Sequence, residues 1–149
     1  MADSVFLREA IEADIPQLVE TARDSYRDAF KLLLSEGALA KRDRAYFEMR
    51  FRESLEKLIV AEQGGAIAGF MLMTGENIDM FFVDPKAQSR GIGKAMIAHA
   101  EALGAKTLEC FAANAPARAF YERRGWTLDQ SRERAFEGAV MSFVTYRRP

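Results

Sequence analysis

The side chains and backbone features able to do chemistry fall in a short part of the chain. They are the loop Asp84-Pro85-Lys86-Ala87-Gln88-Ser89-Arg90-Gly91-Ile92-Gly93-Lys94, the carboxylates Asp79 and Glu109, the amide Asn114 and the phenol Tyr121. In the loop, glycines let the backbone approach a ligand and turn its N–H groups outward. The helix that follows adds unpaired donors and a partial positive charge. Such a loop suits a pyrophosphate. Alone, it also reads as a tight strand-to-helix connection that needs glycine only for its dihedral angles. A dinucleotide fingerprint would place glycine at Met96. A triphosphate loop would place glycine at Gln88 and Ser or Thr at Ala95, so both chemistries are disfavoured.

These residues need strands and helices to hold them. Val5 to Arg8 is an expected strand. Asp14 is placed to cap a helix whose apolar stripe is Ile15, Leu18, Val19, Ala22, Tyr26 and Phe30. Lys31 to Arg44 reads as a helix end plus a loop, its Lys41-Arg42-Asp43-Arg44 run as a solvated face. Phe47, Phe51 and Leu55 mark a second amphipathic helix ending before Leu58. Leu58 to Ala61 and Ala66 to Thr74 flank Gly64-Gly65 as a hairpin, and Glu76 to Val83 is the next strand. Ile92, Met96, Ala100 and Leu103 form the expected buried stripe of the helix after the glycine loop. Thr107 to Ala112 reads as a strand and Pro116 to Arg123 as a short helix. Trp126 to Phe136 and Val140 to Tyr146 read as a closing strand pair. The order β-α-α-β-β-β-α-β-α-β-β describes a mixed sheet with helices on its faces.

Composition narrows the setting. The chain has 149 residues, 49% of them hydrophobic, which matches one domain, residues 1–149, with a sizeable core. Lys plus Arg number 21 and Asp plus Glu 22, so net charge gives no reason to expect nucleic acid or an anionic membrane. The single cysteine, Cys110, excludes an internal disulfide, and with one histidine it cannot make a thiolate/imidazole zinc site, so no metal is expected. No export segment or membrane span is read, and a cytoplasmic protein is expected.

Asn114 stands seven residues before Tyr121 and eleven before Gly125. With it the chain resembles the Gcn5-related N-acetyltransferase (GNAT) family. The resemblance rests on Ile78-Asp79-Met80-Phe81-Phe82-Val83-Asp84-Pro85, on Gln88-Ser89-Arg90-Gly91-Ile92-Gly93, and on Asn114-Ala115-Pro116-Ala117-Arg118-Ala119-Phe120-Tyr121-Glu122-Arg123-Arg124-Gly125-Trp126. It is close over residues 76 to 128, and the element order extends it over the chain. It implies an α/β, single-domain GNAT-like fold: a mixed, mostly antiparallel sheet of six to seven strands with about four helices on its faces. It also implies transfer of acetyl from acetyl-CoA directly to a primary amine in a ternary complex. The alternative is a non-catalytic acetyl-CoA-binding sensor or interaction module.

The same resemblance assigns roles. Backbone groups of Phe81, Phe82 and Val83 would pair with the pantetheine arm like an added strand. The N–H groups of Ser89, Arg90, Gly91, Ile92, Gly93 and Lys94 would hold the pyrophosphate. Asn114 would meet the pantetheine or cap the following helix. Tyr121 matches the family tyrosine at the CoA sulfur, where a phenol can protonate the departing thiolate. A backbone N–H near Phe81 or Phe82 would meet the oxyanion. Only about one amine in a few thousand is neutral at pH 7, so a base or a desolvating pocket must supply the nucleophile. Glu109 resembles the glutamate proposed as base in ribosomal-protein N-terminal acetyltransferases, and Asp79 sits where many family members carry an acid. Strand alternation sets Glu109 with Thr107 and Phe111 on one face and Leu108 with Cys110 on the other. Either carboxylate can instead pair with a neighbouring Arg or Lys.

The family sets its acceptor with the first two helices and the last strand connection, here Tyr26 to Arg44 and Ser131 to Gly138. A small-molecule amine and a peptide or protein amine both fit. An exposed edge at Val140 to Tyr146 is expected either to pair with a second copy, as a homodimer, or to stay solvated.

Overall fold

The computed structural model describes residues 4–149. Seven strands form one sheet: β1 (Phe6–Glu9), β2 (Leu58–Gln63), β3 (Ala66–Thr74), β4 (Asn77–Val83), β5 (Thr107–Phe111), β6 (Thr127–Phe136) and β7 (Ala139–Arg147). Five α-helices accompany them: α1 (Ile15–Phe30), α2 (Glu36–Ala40), α3 (Arg44–Glu53), α4 (Ile92–Ala102) and α5 (Ala115–Arg123). The strand order is β1-β2-β3-β4-β5-β7-β6, antiparallel throughout except for the β4/β5 pair. That is the mixed, mostly antiparallel sheet expected, with one more helix.

Two apolar layers sandwich the sheet. On one face Ile92, Met96, Ile97 and Ala100 of α4 pack with Met71, Ile78, Leu108, Tyr121, Trp126 and Tyr146. On the other, Leu18, Val19, Ala22 and Tyr26 of α1 and Phe47 and Phe51 of α3 pack with Val60, Phe70, Leu72, Phe111 and Phe143. Strand β3 feeds both layers, which is why Ile67 to Met73 reads as an unbroken apolar run apart from Gly69.

Several local expectations change. The segment after α1 is more than a loop, because the Ser35 hydroxyl accepts the Ala38 N–H (3.1 Å) and starts the short helix α2. Asp14 precedes α1, yet its carboxylate does not cap that helix. It accepts the Ile11 N–H (2.8 Å) and pairs with Arg8, which also reaches Glu62 on β2. Leu103 is exposed and Ile97 takes its place in the α4 stripe, since the helix closes at Ala102 and Leu103 lies past its last turn.

The expected free edge at Val140 to Tyr146 is corrected. Strand β7 is interior, hydrogen-bonded to β5 on one side and β6 on the other. The hairpin folds back so that the apolar member, with buried Phe143, Val144 and Tyr146, is covered, while the charged β6 takes the edge. A charged edge strand discourages pairing with a second copy.

Candidate active site

Strands β4 and β5 run parallel for only two residue pairs, Asn77 with Thr107 and Ile78 with Leu108, and then diverge. The helix α4 between them begins at the glycine loop, and its N-terminus faces the opening. A cavity of about 1160 Å³ occupies the gap, lined by β4 from Asn77 to Val83, by Gly91 to Lys94, by Glu109 to Phe111, and by Asn114 and Tyr121. All the catalytic and cofactor-binding residues expected from the sequence, except Arg90, line this one cavity.

Past Ile78, one edge of β4 pairs with β3 up to Val83, while the edge toward β5 has no partner strand. Phe81, Phe82 and Val83 therefore present backbone groups to the cavity, as an incoming extended chain requires. Ser89 and Gly91 adopt left-handed backbone (φ 67° and 79°), which turns the loop sharply into the helix. The first helical bond of α4 runs from the Ala95 N–H to the Gly91 carbonyl (3.1 Å), so the N–H groups of Ile92, Gly93 and Lys94 precede the ladder and remain donors. A Cβ at Gly93 would lie 3.6 Å from the Phe120 ring and 3.7 Å from Val83, ordinary contact. Arg90 and Lys94 are exposed and form no ion pair among the described residues.

Gly69 on β3 supports this geometry. A Cβ there would fall 2.8 Å from the Met96 Sδ and 2.8 Å from the Phe82 carbonyl oxygen, so only glycine lets α4 and the end of β4 close over β3. Its place inside an apolar strand hid this role, although an isolated strand glycine is a signal of close backbone approach.

Asp79 is the extra residue of a β-bulge: Leu72 faces Met80 while Met73 faces Ile78. Its carboxylate accepts from the Thr74 hydroxyl and from the Asn77 side-chain amide (2.6 Å). Glu109 lies on the Phe111 face of β5, as alternation requires. Arg132 Nη2 (2.8 Å) and Arg134 Nη2 (2.6 Å) donate to its two oxygens. Burial pushes the Glu109 carboxyl upward, but the hydrogen bonds and charges of Arg134 and Arg132 outweigh it and hold the group below the ordinary carboxylate range.

Tyr121 is buried against Phe81, Phe120, Trp126 and Tyr146. Burial first, and the Cys110 thiol second, push its phenol well above the usual value, so it stays protonated. Its hydroxyl makes no hydrogen bond among the described residues. Cys110, on the opposite face from Glu109, is itself pushed up to about 11 by burial and is a neutral thiol. Asn114 caps α5, its side-chain oxygen accepting the Ala117 N–H at 3.4 Å. The turn before it is held by the Arg118 side chain, which donates to the Ala112 carbonyl (2.9 Å) and the Tyr146 hydroxyl (3.0 Å).

The other end of the cavity draws on the two segments expected to face the acceptor, Tyr26 to Arg44 and Ser131 to Gly138. Arg42, expected on a solvated face, is partly buried, 4.4 Å from the Tyr46 ring centroid and 5.3 Å from that of Phe136. It donates to Glu137 at 2.9 Å, and Lys41 lies 3.1 Å from the same carboxylate. This clip joins the segment after α2 to the β6/β7 turn across the cavity. Tyr26, Phe30, Phe82, Phe111, Phe136 and Phe143 form the aromatic lining beneath it. No group of His, Cys, Asp and Glu among the described residues is arranged to hold a metal ion, and no described helix is long and apolar enough to cross a membrane.

Comparison with known proteins gives the same picture. The model of the acetyltransferase (GNAT) domain family matches residues 34–147. The peptidyl-lysine N-acetyltransferase YjaB of Salmonella typhimurium is 27% identical over 122 residues, 73% of this chain and 83% of that protein. A crystal structure of a GCN5-related N-acetyltransferase from Rhodopseudomonas palustris superposes with a TM-score of 0.75 at 25% identity, over 99% of this chain and 97% of that one. The PaiA N-acetyltransferase of Thermoplasma acidophilum, solved in complex with coenzyme A, superposes with a TM-score of 0.70 at 16% identity, over 97% and 99% of the two chains, a likeness of fold.

Proposed function

The chain belongs to the acetyltransferase (GNAT) domain family of acyl-CoA-dependent N-acetyltransferases, and from that premise we propose that it moves acetyl from acetyl-CoA directly to a primary amine with both substrates bound. The observation that carries this reading is the divergence of β4 from β5 after two residue pairs, which opens one strand edge, one helix N-terminus and one protonated tyrosine onto a single cavity.

The pyrophosphate would lie on the N–H groups of Ser89 to Lys94, where donors and the helix dipole favour an anion. The pantetheine amides would pair with the open edge of β4 at Phe81 to Val83, with Asn114 at their flank. The acceptor enters from the aromatic end as an ammonium ion and loses one proton to become the nucleophile. Its nitrogen lone pair attacks the thioester carbonyl carbon, a backbone N–H near Phe81 or Phe82 meets the oxyanion, the nitrogen gives up a second proton to water, and the C–S bond breaks as the amide forms. The thiolate takes the Tyr121 proton, and the phenolate is reprotonated from solvent. No acyl-enzyme is needed.

Glu109, ionised and shared between two arginines, orients the incoming ammonium and passes its proton to water. Its depressed pKa makes it a weak base in its own right. Asp79, at the bulge on the opposing strand, is the second carboxylate at the mouth. The decisive assay is thiol release from acetyl-CoA against amines, polyamines, amino acids and peptides. Turnover with any amine supports the reading. Ligand-dependent thermal stabilisation without turnover on any acceptor refutes it in favour of a sensor, and no stabilisation at saturating acetyl-CoA refutes both.

A further inference from the structure

We infer that the aromatic end of the cavity takes a small amine that also carries a carboxylate beside an apolar body, an amino-acid-like acceptor, with the Tyr26 hydroxyl and the Arg50 guanidinium as its anion-binding groups. This deepens the acetyl-transfer reading and rests on it for where the amine reacts.

Two polar groups facing this cavity lack partners. Tyr26 is only 8% exposed, and its buried hydroxyl completes no hydrogen bond of good geometry among the described residues, although the Arg42 guanidinium lies 5.6 Å from its ring centroid and acts on the phenol. Arg50 lines the same cavity, forms no ion pair or hydrogen bond among the described residues, and its Nε is buried and unpartnered. Buried polar groups are rarely left unpaired, so an unpaired phenol and guanidinium in one cavity point to a ligand with acceptor oxygens. The helices that carry them pack together. Phe47, one helical turn before Arg50 on α3, packs against Tyr26 with ring centroids 6.0 Å apart.

The other charges at this end are already matched. Glu109 is taken by Arg132 and Arg134, Glu137 by Arg42 and Lys41, and Asp28 lies 3.6 Å from Lys31. Glu109 and Glu137 each hold two cations and Arg50 pairs with no carboxylate, so positive charge is in excess here, which disfavours a polyamine and attracts a carboxylate. The apolar body would lie against Phe30, Phe82, Phe111 and Phe143: the Phe30 ring centroid is 6.0 Å from that of Phe82 and 5.0 Å from that of Phe111, and Phe111 is 4.8 Å from Phe143.

The test compares acceptors that differ only in the carboxylate. L-phenylalanine and L-methionine are set against their amides, with spermidine and a lysine-containing peptide alongside, in the thiol-release assay. The products N-acetyl-L-phenylalanine and its amide are titrated calorimetrically into enzyme saturated with coenzyme A. The acids are expected to exceed their amides at least tenfold in kcat/KM and in product affinity. Tyr26→Phe and Arg50→Gln should each abolish most of that preference through KM, leaving coenzyme A affinity unchanged. Equal acid and amide, a preference for spermidine or the peptide, or a preference that survives both substitutions overturns the inference. If no amine turns over at all, the transfer reading falls, and the calorimetric comparison still decides whether this end of the cavity binds a carboxylate.

Discussion

Replacing Gly69 with alanine tests whether the packing beneath the cavity sets the cofactor geometry. The added methyl group would sit 2.8 Å from the Met96 Sδ, 3.3 Å from the Ile92 Cγ2 and 2.8 Å from the Phe82 carbonyl oxygen. Met96 is flexible and can swing aside. The carbonyl belongs to β4, which is held at this level by the pairing of Gly69 with Val83 and by the Asp84 N–H bond to the Ala68 carbonyl (2.8 Å). Reaching ordinary contact at 3.4 Å means that the Phe82 peptide retreats by about 0.6 Å. Overpacking of this kind costs about 1–3 kcal/mol, and for a domain of this size each kcal/mol lowers Tm by roughly 2–4 °C. The expected drop is therefore roughly 2–12 °C. The displacement falls on the edge proposed to pair with pantetheine and next to the start of α4, so acetyl-CoA affinity should weaken several-fold as well. The assays are a thermal melt and a calorimetric titration with acetyl-CoA. A variant that melts within about 1 °C of the parent and binds acetyl-CoA equally well would refute the claim that the Phe82 carbonyl is pinned.

Two further outcomes follow from the cavity residues. Tyr121→Phe should keep the ring packing and the melting temperature, since the hydroxyl has no protein partner among the described residues, while thiol release falls by roughly 10²–10⁴-fold, the usual worth of a general acid; undiminished kcat would reduce Tyr121 to a wall of the site. For Glu109, whose carboxyl is held below its ordinary 4.5 by Arg134 and Arg132, the ion pairing stabilises the fold fully above about pH 4.5, and that contribution fades as pH falls through the lower folded-state value. Glu109→Gln should accordingly lose stability relative to the parent at neutral pH and converge with it in acid, as read from urea unfolding at both. A stability gap that widens on acidification would contradict the assignment.

That the residues from Ile78 to Lys94 would share one cavity with Glu109, Asn114 and Tyr121 was readable because the signals are local. A strand, a glycine turn and a helix start follow one another from Ile78 to Lys94, and Glu109, Asn114 and Tyr121 lie within one further strand and helix. At the other end the resemblance indicated the segments, Tyr26 to Arg44 and Ser131 to Gly138, but not the contacts within them, because those groups meet through long-range packing. Arg42 sits in a run of charges that looks solvated, and what buries it is Glu137, 95 residues away, with Phe136 beside it. Strand β7 looked like an edge because periodicity reports a strand but not its neighbours, and only the tertiary order places it between β5 and β6. Arg50 carries no local cue at all. What sets it apart is a buried Nε with no partner among the described residues.

The short pairing of β4 with β5 has a meaning for the folded chain as a whole. Two residue pairs, extended by the Lys106 and Thr107 N–H bonds to the Glu76 carbonyl, make a short backbone seam between the four-stranded half β1 to β4 and the three-stranded half β5 to β7. An extended acyl-carrier arm laid along β4 would act as a strand made of substrate, filling the gap where the protein's own backbone stops. Ligand occupancy would then contribute to the continuity of the sheet. By mass action, the cohesion of the two halves would rise and fall with the supply of the thioester the site consumes.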